Sequence, residues 1–148
     1  MIMDAQNRPS NQQSLAVAAG TTVSTDSIDL LVPQANPGRS GGMLRVIAMC
    51  STAFTGGTSV QAQLIQSANA NLSSPDILAS GLVIVDAAAV IGKVLLDVPL
   101  PDTTKRYLGL QYVTVGVHTT GNVTAGVVGG TNNLVGNIPM QLGTGGTS

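Results

Sequence analysis

Acid–base, nucleophilic and metal chemistry needs His, Cys, carboxylates and amines within reach of one another. This chain offers one His, one Cys, seven Asp and no Glu in 148 residues. A Ser-His-Asp or Cys-His site would have to recruit His118, which stands in VGVHTTG directly after a strand-like run. That setting predicts an exposed turn histidine. Structural zinc needs three or four N or S ligands, so one chain cannot supply a site, and only a three-fold axis could gather three copies of His118. Cys50 follows an apolar run and reads as a small buried hydrophobe with no partner for an intramolecular disulfide. Asp26 and Asp29 are close enough for a calcium pair. On a strand, however, Asp-x-x-Asp faces opposite sides and lacks a Gly-containing loop, so solvated surface is expected. Asp102, Lys105 and Arg106 surround a turn and read as an ion pair or turn cap. The Gly clusters at 126–130 and 143–146 lack the Lys-Ser/Thr and helix of a phosphate-binding loop. The expectation is a protein with no catalytic residue, no cofactor and no metal, and therefore not an enzyme.

The elements that would carry these residues follow from period-two alternation bounded by Gly, Pro, Asn and Ser. Residues 14–19 and 24–32, joined by Gly20-Thr21-Thr22, predict short edge strands or a hairpin ending at Pro33. Residues 33–42 (PQANPGRSGG) predict a long surface loop with Arg39 at its tip. Both faces of 43–54 are mostly apolar, which predicts a central strand. Residues 59–66 set Val60, Ala62 and Leu64 against Gln61 and Gln63, which predicts one buried and one wet face. Residues 67–75 read as a loop, 76–84 as a strand and 85–91 as a short helical turn stopped by Gly92. The run at 94–100 reads as a strand ended by Pro99 and Pro101. Residues 106–117 give the strongest strand signal, and with 122–128 they predict a hairpin turning at Gly121-Asn122.

The total is about eight short strands with no helical crossover and no repeat of fixed period. This predicts an all-β, jelly-roll-like two-sheet β-sandwich over residues 14–128, with an extended N-terminal arm at 1–13 and an extended C-terminal tail at 129–148. Composition agrees, because Val, Ile and Thr make up 40 residues and the helix formers Glu, Lys and Arg are scarce.

Charge and aromatic content exclude several classes. The formal charge is -1 with six scattered basic residues, so no stripe can neutralise a run of phosphates and no nucleic-acid partner is expected. The most apolar window, GLVIVDAAAVIG at 81–92, is too short to span a bilayer and contains Asp86, so no membrane partner is expected. The opening MIMDAQNRPSNQQS has no basic leader and no apolar stretch, which predicts no secretion and makes the sequons at Asn71 and Asn122 chance matches. Phe54, Tyr107 and Tyr112 are the only aromatics, too few for the sugar platforms of a carbohydrate-binding jelly roll. What remains is a neutral, polar surface suited to protein association, and a homo-oligomer is expected.

Four stretches carry a resemblance: MIMDAQN at 1–7, QSLAVAAGTTVSTDSIDL at 13–30, KRYLGLQYVTVG at 105–116 and GNVTAGVV at 121–128. In order and spacing they resemble the capsid decoration, or cement, proteins of Bordetella-phage type. The family's Asp-Ala-Gln start, Arg-Tyr-Leu strand and Val-Thr-Ala-Gly strand fall at residues 4–6, 106–108 and 123–126. The chain departs from that pattern at 33–42 and from 129 onward. The resemblance implies a jelly roll, homotrimers on the exterior of the phage head, the major capsid protein as partner, and no enzyme activity. Candidate capsid or subunit contacts are Asp4, Gln6 and Arg8 in the arm, Arg39 in the loop, and Leu134 and Ile138 in the tail. The alternatives are a tail or receptor-binding virion module, or a small carbohydrate-binding jelly roll.

Overall fold

The structure, a computed structural model, describes residues 7–33 and 44–129. Ten β segments follow in chain order: β1 Ser10–Ser14, β2 Gly20–Val23, β3 Ile28–Asp29, β4 Leu44–Thr55, β5 Ser59–Ser67, β6 Asp76–Ser80, β7 Ile84–Val85, β8 Val94–Pro99, β9 Tyr107–Val115 and β10 Thr120–Gly129. One antiparallel sheet has the order β1-β10-β4-β8 and the other β2-β9-β5-β6, with β3 beside β9 and β7 beside β5. Taking β2 with β3 and β6 with β7 as interrupted strands leaves eight, four in each sheet, and consecutive strands fall in alternate sheets except β5 and β6, which pair with each other. That is the all-β jelly-roll sandwich the alternation predicts.

Period-two patterning builds the core. Val46, Ala48 and Cys50 from β4 meet Val60, Ala62 and Leu64 from β5, Leu108, Leu110 and Tyr112 from β9, and Val123 and Ala125 from β10. As expected, β4 is central, lying between β10 and β8. A second, smaller contact covers the outside of the β5–β9 sheet. Leu72, in the loop after β5, is buried and packs on Gly109, while Ile65 in the register position opposite Gly109 is fully buried.

Four local expectations are corrected. Gly20-Thr21-Thr22 is not a joint between strands but the body of β2, in register with Val113 and Thr114 of β9. Ser10–Ser14 lies ahead of residue 14 yet pairs with β10, with Ser10 opposite Ala125 and an irregularity at Gln12, whose φ is 50°. The predicted 106–117/122–128 hairpin does not form. β9 and β10 lie in opposite sheets, and residues 116–119 cross between them. A turn signal reports that the chain reverses, whereas only the packing decides whether the next strand pairs with the last one or covers it. Pro99 does not end β8 either, since it stands opposite Arg45 in the ladder. Leu100 donates its N–H to Leu44 on β4, so strand alternation turns the Pro99 nitrogen toward the free outer edge, where no donor is needed.

Candidate interaction surface

The crossing from β9 to β10 carries His118 into the interior. Its side chain is fully buried, correcting the exposed turn histidine expected from sequence, and its main chain is tied by an N–H bond to the Val17 carbonyl. Nε2 lies 2.8 Å from Asp86 Oδ1, and Asp86 Oδ2 accepts the Gly57 N–H at 3.0 Å. Phe54 meets the imidazole edge-on with centroids 5.3 Å apart, a favoured aromatic geometry. Gly57 is required here, because a Cβ would fall 2.5 Å from the His118 ring. Burial of His118 also closes the route by which three copies could meet on an axis.

Asp86 opens a short 3₁₀ turn, Asp86–Ala88, within the most apolar window of the chain. The segment is arranged inside out. Asp86 turns its side chain inward, while Leu82, Val83, Val85, Val90, Ile91 and Val94 are 44–78% exposed, with Lys93 the one exposed charge among them. Backbone bonds fix it in place: Asp86 N–H to Thr58, Phe54 N–H to Ala89 and Gly92 N–H to Cys50. The sequence signal for this surface was present, since the run exceeds what one short turn can bury. Hydropathy alone does not say which side chains face out.

At the opposite edge, Tyr112 Oη donates to Ser10 Oγ at 2.8 Å and Ser10 Oγ donates to Gln13 Oε1 at 2.8 Å. Gln13 Oε1 also accepts the Thr25 N–H, and Gln13 Nε2 donates to the Val23 carbonyl. This network ties β1 in one sheet to β2 and β9 in the other. Burial pushes the Tyr112 hydroxyl well above its ordinary pKa, opposed by the Ser10 hydrogen bond. Burial likewise pushes the Cys50 thiol up to about 11, in keeping with the inert interior cysteine expected.

The charges are mostly spent on one another. Asp29 receives both Nε and a terminal nitrogen of Arg106, at 2.7 and 2.8 Å, together with the Leu31 N–H. The Arg106 fork, aided by Leu31, lowers its pKa to about 2. Asp29 is thus engaged by Arg106 rather than merely solvated. Lys105 pairs with Asp76 at 2.8 Å, whose pKa that hydrogen bond lowers, and Arg45 pairs with Asp97 at 2.8 Å. Lys105 and Arg106 therefore do form ion pairs, but with partners distant in sequence. Gln66, buried in the β5–β9 sheet, holds the preceding turn by accepting the Thr104 and Lys105 N–H groups.

Of the sequence-predicted contacts, Arg8 is described. It is half-buried beside Asp26 and Asp29 in a cleft of about 430 Å³. Asp4, Gln6, Arg39, Leu134 and Ile138 lie outside the described residues. Phe54 and Tyr112 are interior, and Tyr107 carries the Arg106 guanidinium 5.2 Å from its ring centroid, so the described residues hold no pair of open aromatic faces. No helix among them is long and apolar enough to cross a membrane.

These features define a jelly-roll β-sandwich protein whose polar dyad is sealed inside and whose apolar segment is displayed outside. The model of the Bbp16 family matches residues 10–128, most of the chain, and the protein belongs to that family. The family name is that of a Bordetella phage protein, which suggests a phage virion component. No curated protein matches the chain.

Proposed function

We propose that this protein is a capsid decoration, or cement, protein that binds the exterior of the assembled phage head as a homotrimer and stabilises it, with the major capsid protein as partner. The observation that carries this reading is the inside-out segment at 82–94. It is a fixed, nearly uncharged apolar surface on a rigid sandwich, in a chain of a phage family. Depletion of charge with retained apolar area is the composition of an interface core. The mechanism is mechanical. A protein that binds the closed lattice and not its separated subunits stabilises the lattice by mass action, and contacts repeated by symmetry raise the avidity.

The test mixes purified protein with expanded, undecorated heads of its phage and measures cosedimentation, heat-induced DNA release and the mass of the free protein by light scattering. The expected result is saturable binding by a trimer that raises the release temperature, and weaker binding by an Ile91→Asp/Val83→Asp variant of unchanged fold. Absence of head binding overturns the reading and directs the search to tail assembly and host-surface ligands.

A further inference from the structure

The two sheets show different surfaces to the outside. On the β1-β10-β4-β8 sheet that surface carries an ion pair, Arg45 of β4 beside Asp97 of β8. The β2-β9-β5-β6 sheet is built otherwise. Val60, Ala62 and Leu64 of β5 point into the core, so strand alternation turns Gln61, Gln63 and Ile65 outward. Beside Gln61 and Gln63 in register stand Val113, Thr21, Gln111, Val23 and Ser80, none of them charged. Leu72 covers Gly109 at the Ile65 end, and Gln61 and Gln63 are left half-exposed. The charged residues on the strands of this sheet are Asp29 and Asp76, both at its far end and both paired, with Arg106 and Lys105.

Three glutamines organise the middle of the face. Gln111 Nε2 donates to Gln63 Oε1 at 2.6 Å, and Gln63 Nε2 donates to Gln61 Oε1 at 3.4 Å and to Ser80 Oγ at 3.2 Å. Gln61 Nε2 donates to the Gly81 carbonyl at 2.8 Å. The amides thus form a row across β9 and β5 whose rotamers are already fixed, so covering them costs little further side-chain entropy. An amide has two N–H donors and a carbonyl with two lone pairs, and the row spends only part of that capacity. Gln111 Oε1 receives none of these bonds.

These properties select the partner. Closed association brings the same side chains of different copies together about an axis. A charge placed there meets its own like, at a cost in energy, whereas a face for a different protein gains from charges that match it. This face has no charge, and an amide, donor and acceptor at once, complements a copy of itself. We propose that copies of the chain meet one another on this face, with Gln61, Gln63 and Gln111 of each copy against those of its neighbours about the axis. The three-fold number rests on the cement reading; the face does not. None of the assigned residues belongs to the segment at 82–94, which the assignment leaves to the head.

The experiment measures the mass of the full chain by light scattering, without heads, over a range of concentrations. The native sequence is expected to give a multiple of 14.9 kDa. Gln63→Glu and Gln63→Lys are each expected to fall to the mass of one chain with an unchanged circular dichroism spectrum, because like charges then meet about the axis. Mixed in equal amounts, they are expected to regain the assembled mass, and added salt to weaken the mixture more than the native protein. Thr52→Glu, at an exposed site on β4 of the other sheet, is expected to change nothing. Should a Gln63 variant fail to fold, the same two charges at Thr21, exposed on the edge strand β2, are read in the same way. A native chain of single mass at every concentration, charged variants that assemble as the native chain does, a mixture that stays apart, or equal dissociation by Thr52→Glu overturns the inference. Head binding is assayed apart. A single-mass chain that still saturates heads overturns the self-contact and leaves binding through 82–94 standing, whereas an assembled chain that ignores heads supports the self-contact and removes the cement reading.

Discussion

His118 Nε2 lies 2.8 Å from Asp86 Oδ1 although 32 residues separate them, and this bond joins the β9–β10 crossing to the 3₁₀ turn under the exposed apolar segment. Two consequences follow from its burial. Asp86 keeps its carboxylate inward only while the imidazole and the Gly57 N–H receive it, and the outward apolar side chains depend on that inward turn.

Replacing His118 with Ala therefore removes a hydrogen bond and opens a cavity beside Phe54. The expected cost is about 2–4 kcal/mol of folding stability, from the lost volume plus the stranded carboxylate. Urea unfolding monitored by circular dichroism measures it. A cost below about 0.5 kcal/mol, the range of ordinary surface substitutions, would contradict the buried dyad.

Tyr112→Phe keeps the ring and deletes the hydroxyl that meets Ser10. The loss should be about 0.5–1.5 kcal/mol, typical of one internal hydrogen bond. Hydrogen exchange at Ser10–Ser14 should quicken more than exchange in β4, because the bond secures β1 to the opposite sheet.

The pH dependence of stability follows from Asp29. Its folded pKa of about 2 lies below the ordinary aspartate value, so its contribution is fully present above about pH 4, the unfolded value, and is lost as pH falls toward 2. Asp29→Asn should flatten that part of the stability profile. Because the pair is partly exposed, added salt should weaken the effect. A carboxyl titration of Asp29 by NMR with a midpoint near 4 would contradict the fork.

Cys50 should not react with alkylating reagents at pH 8 in the folded protein and should react readily in urea. Its thiol is 1% exposed and raised to about 11, which suppresses the thiolate that performs the chemistry. Labelling in the native state within minutes, followed by mass spectrometry, would show that the site opens.

Much of the fold was legible in the residues. β4, β5, β9 and β10 each turn one face into the core, and their patterning marks them to within about two residues, the usual uncertainty of strand ends. β1 escaped because SNQQS has no apolar face to reveal it; its place is set by hydrogen bonds to Thr124 and by Tyr112. β2 escaped because a Gly and two Thr read equally well as a turn. His118 was misread for a different reason. Its burial comes from a crossing between sheets, and no local pattern distinguishes a crossing from a hairpin. Cys50 was read correctly because its position on an alternating strand fixes which way it points. Of the candidate contacts, only Arg8 can be placed. The apolar window at 81–92 was noticed as too short for a bilayer, yet its outward display depends on Asp86 finding a partner far along the chain.

The strand order also sets a schedule for the newborn chain. Both sheets have a late strand near the middle: β4 waits for β10, with Cys50 opposite Val123, and β5 waits for β9, with Leu64 opposite Leu110. β1 waits longest of all, since Ser10 finds Ala125 only after nearly the whole sandwich has been translated. Early strands must therefore stay apart in the ribosome's shadow with their apolar faces uncovered. Closure comes as one late, slow event dominated by distant pairings, and anything that delays synthesis beyond β8 lengthens the interval in which β4 can meet a neighbouring chain instead.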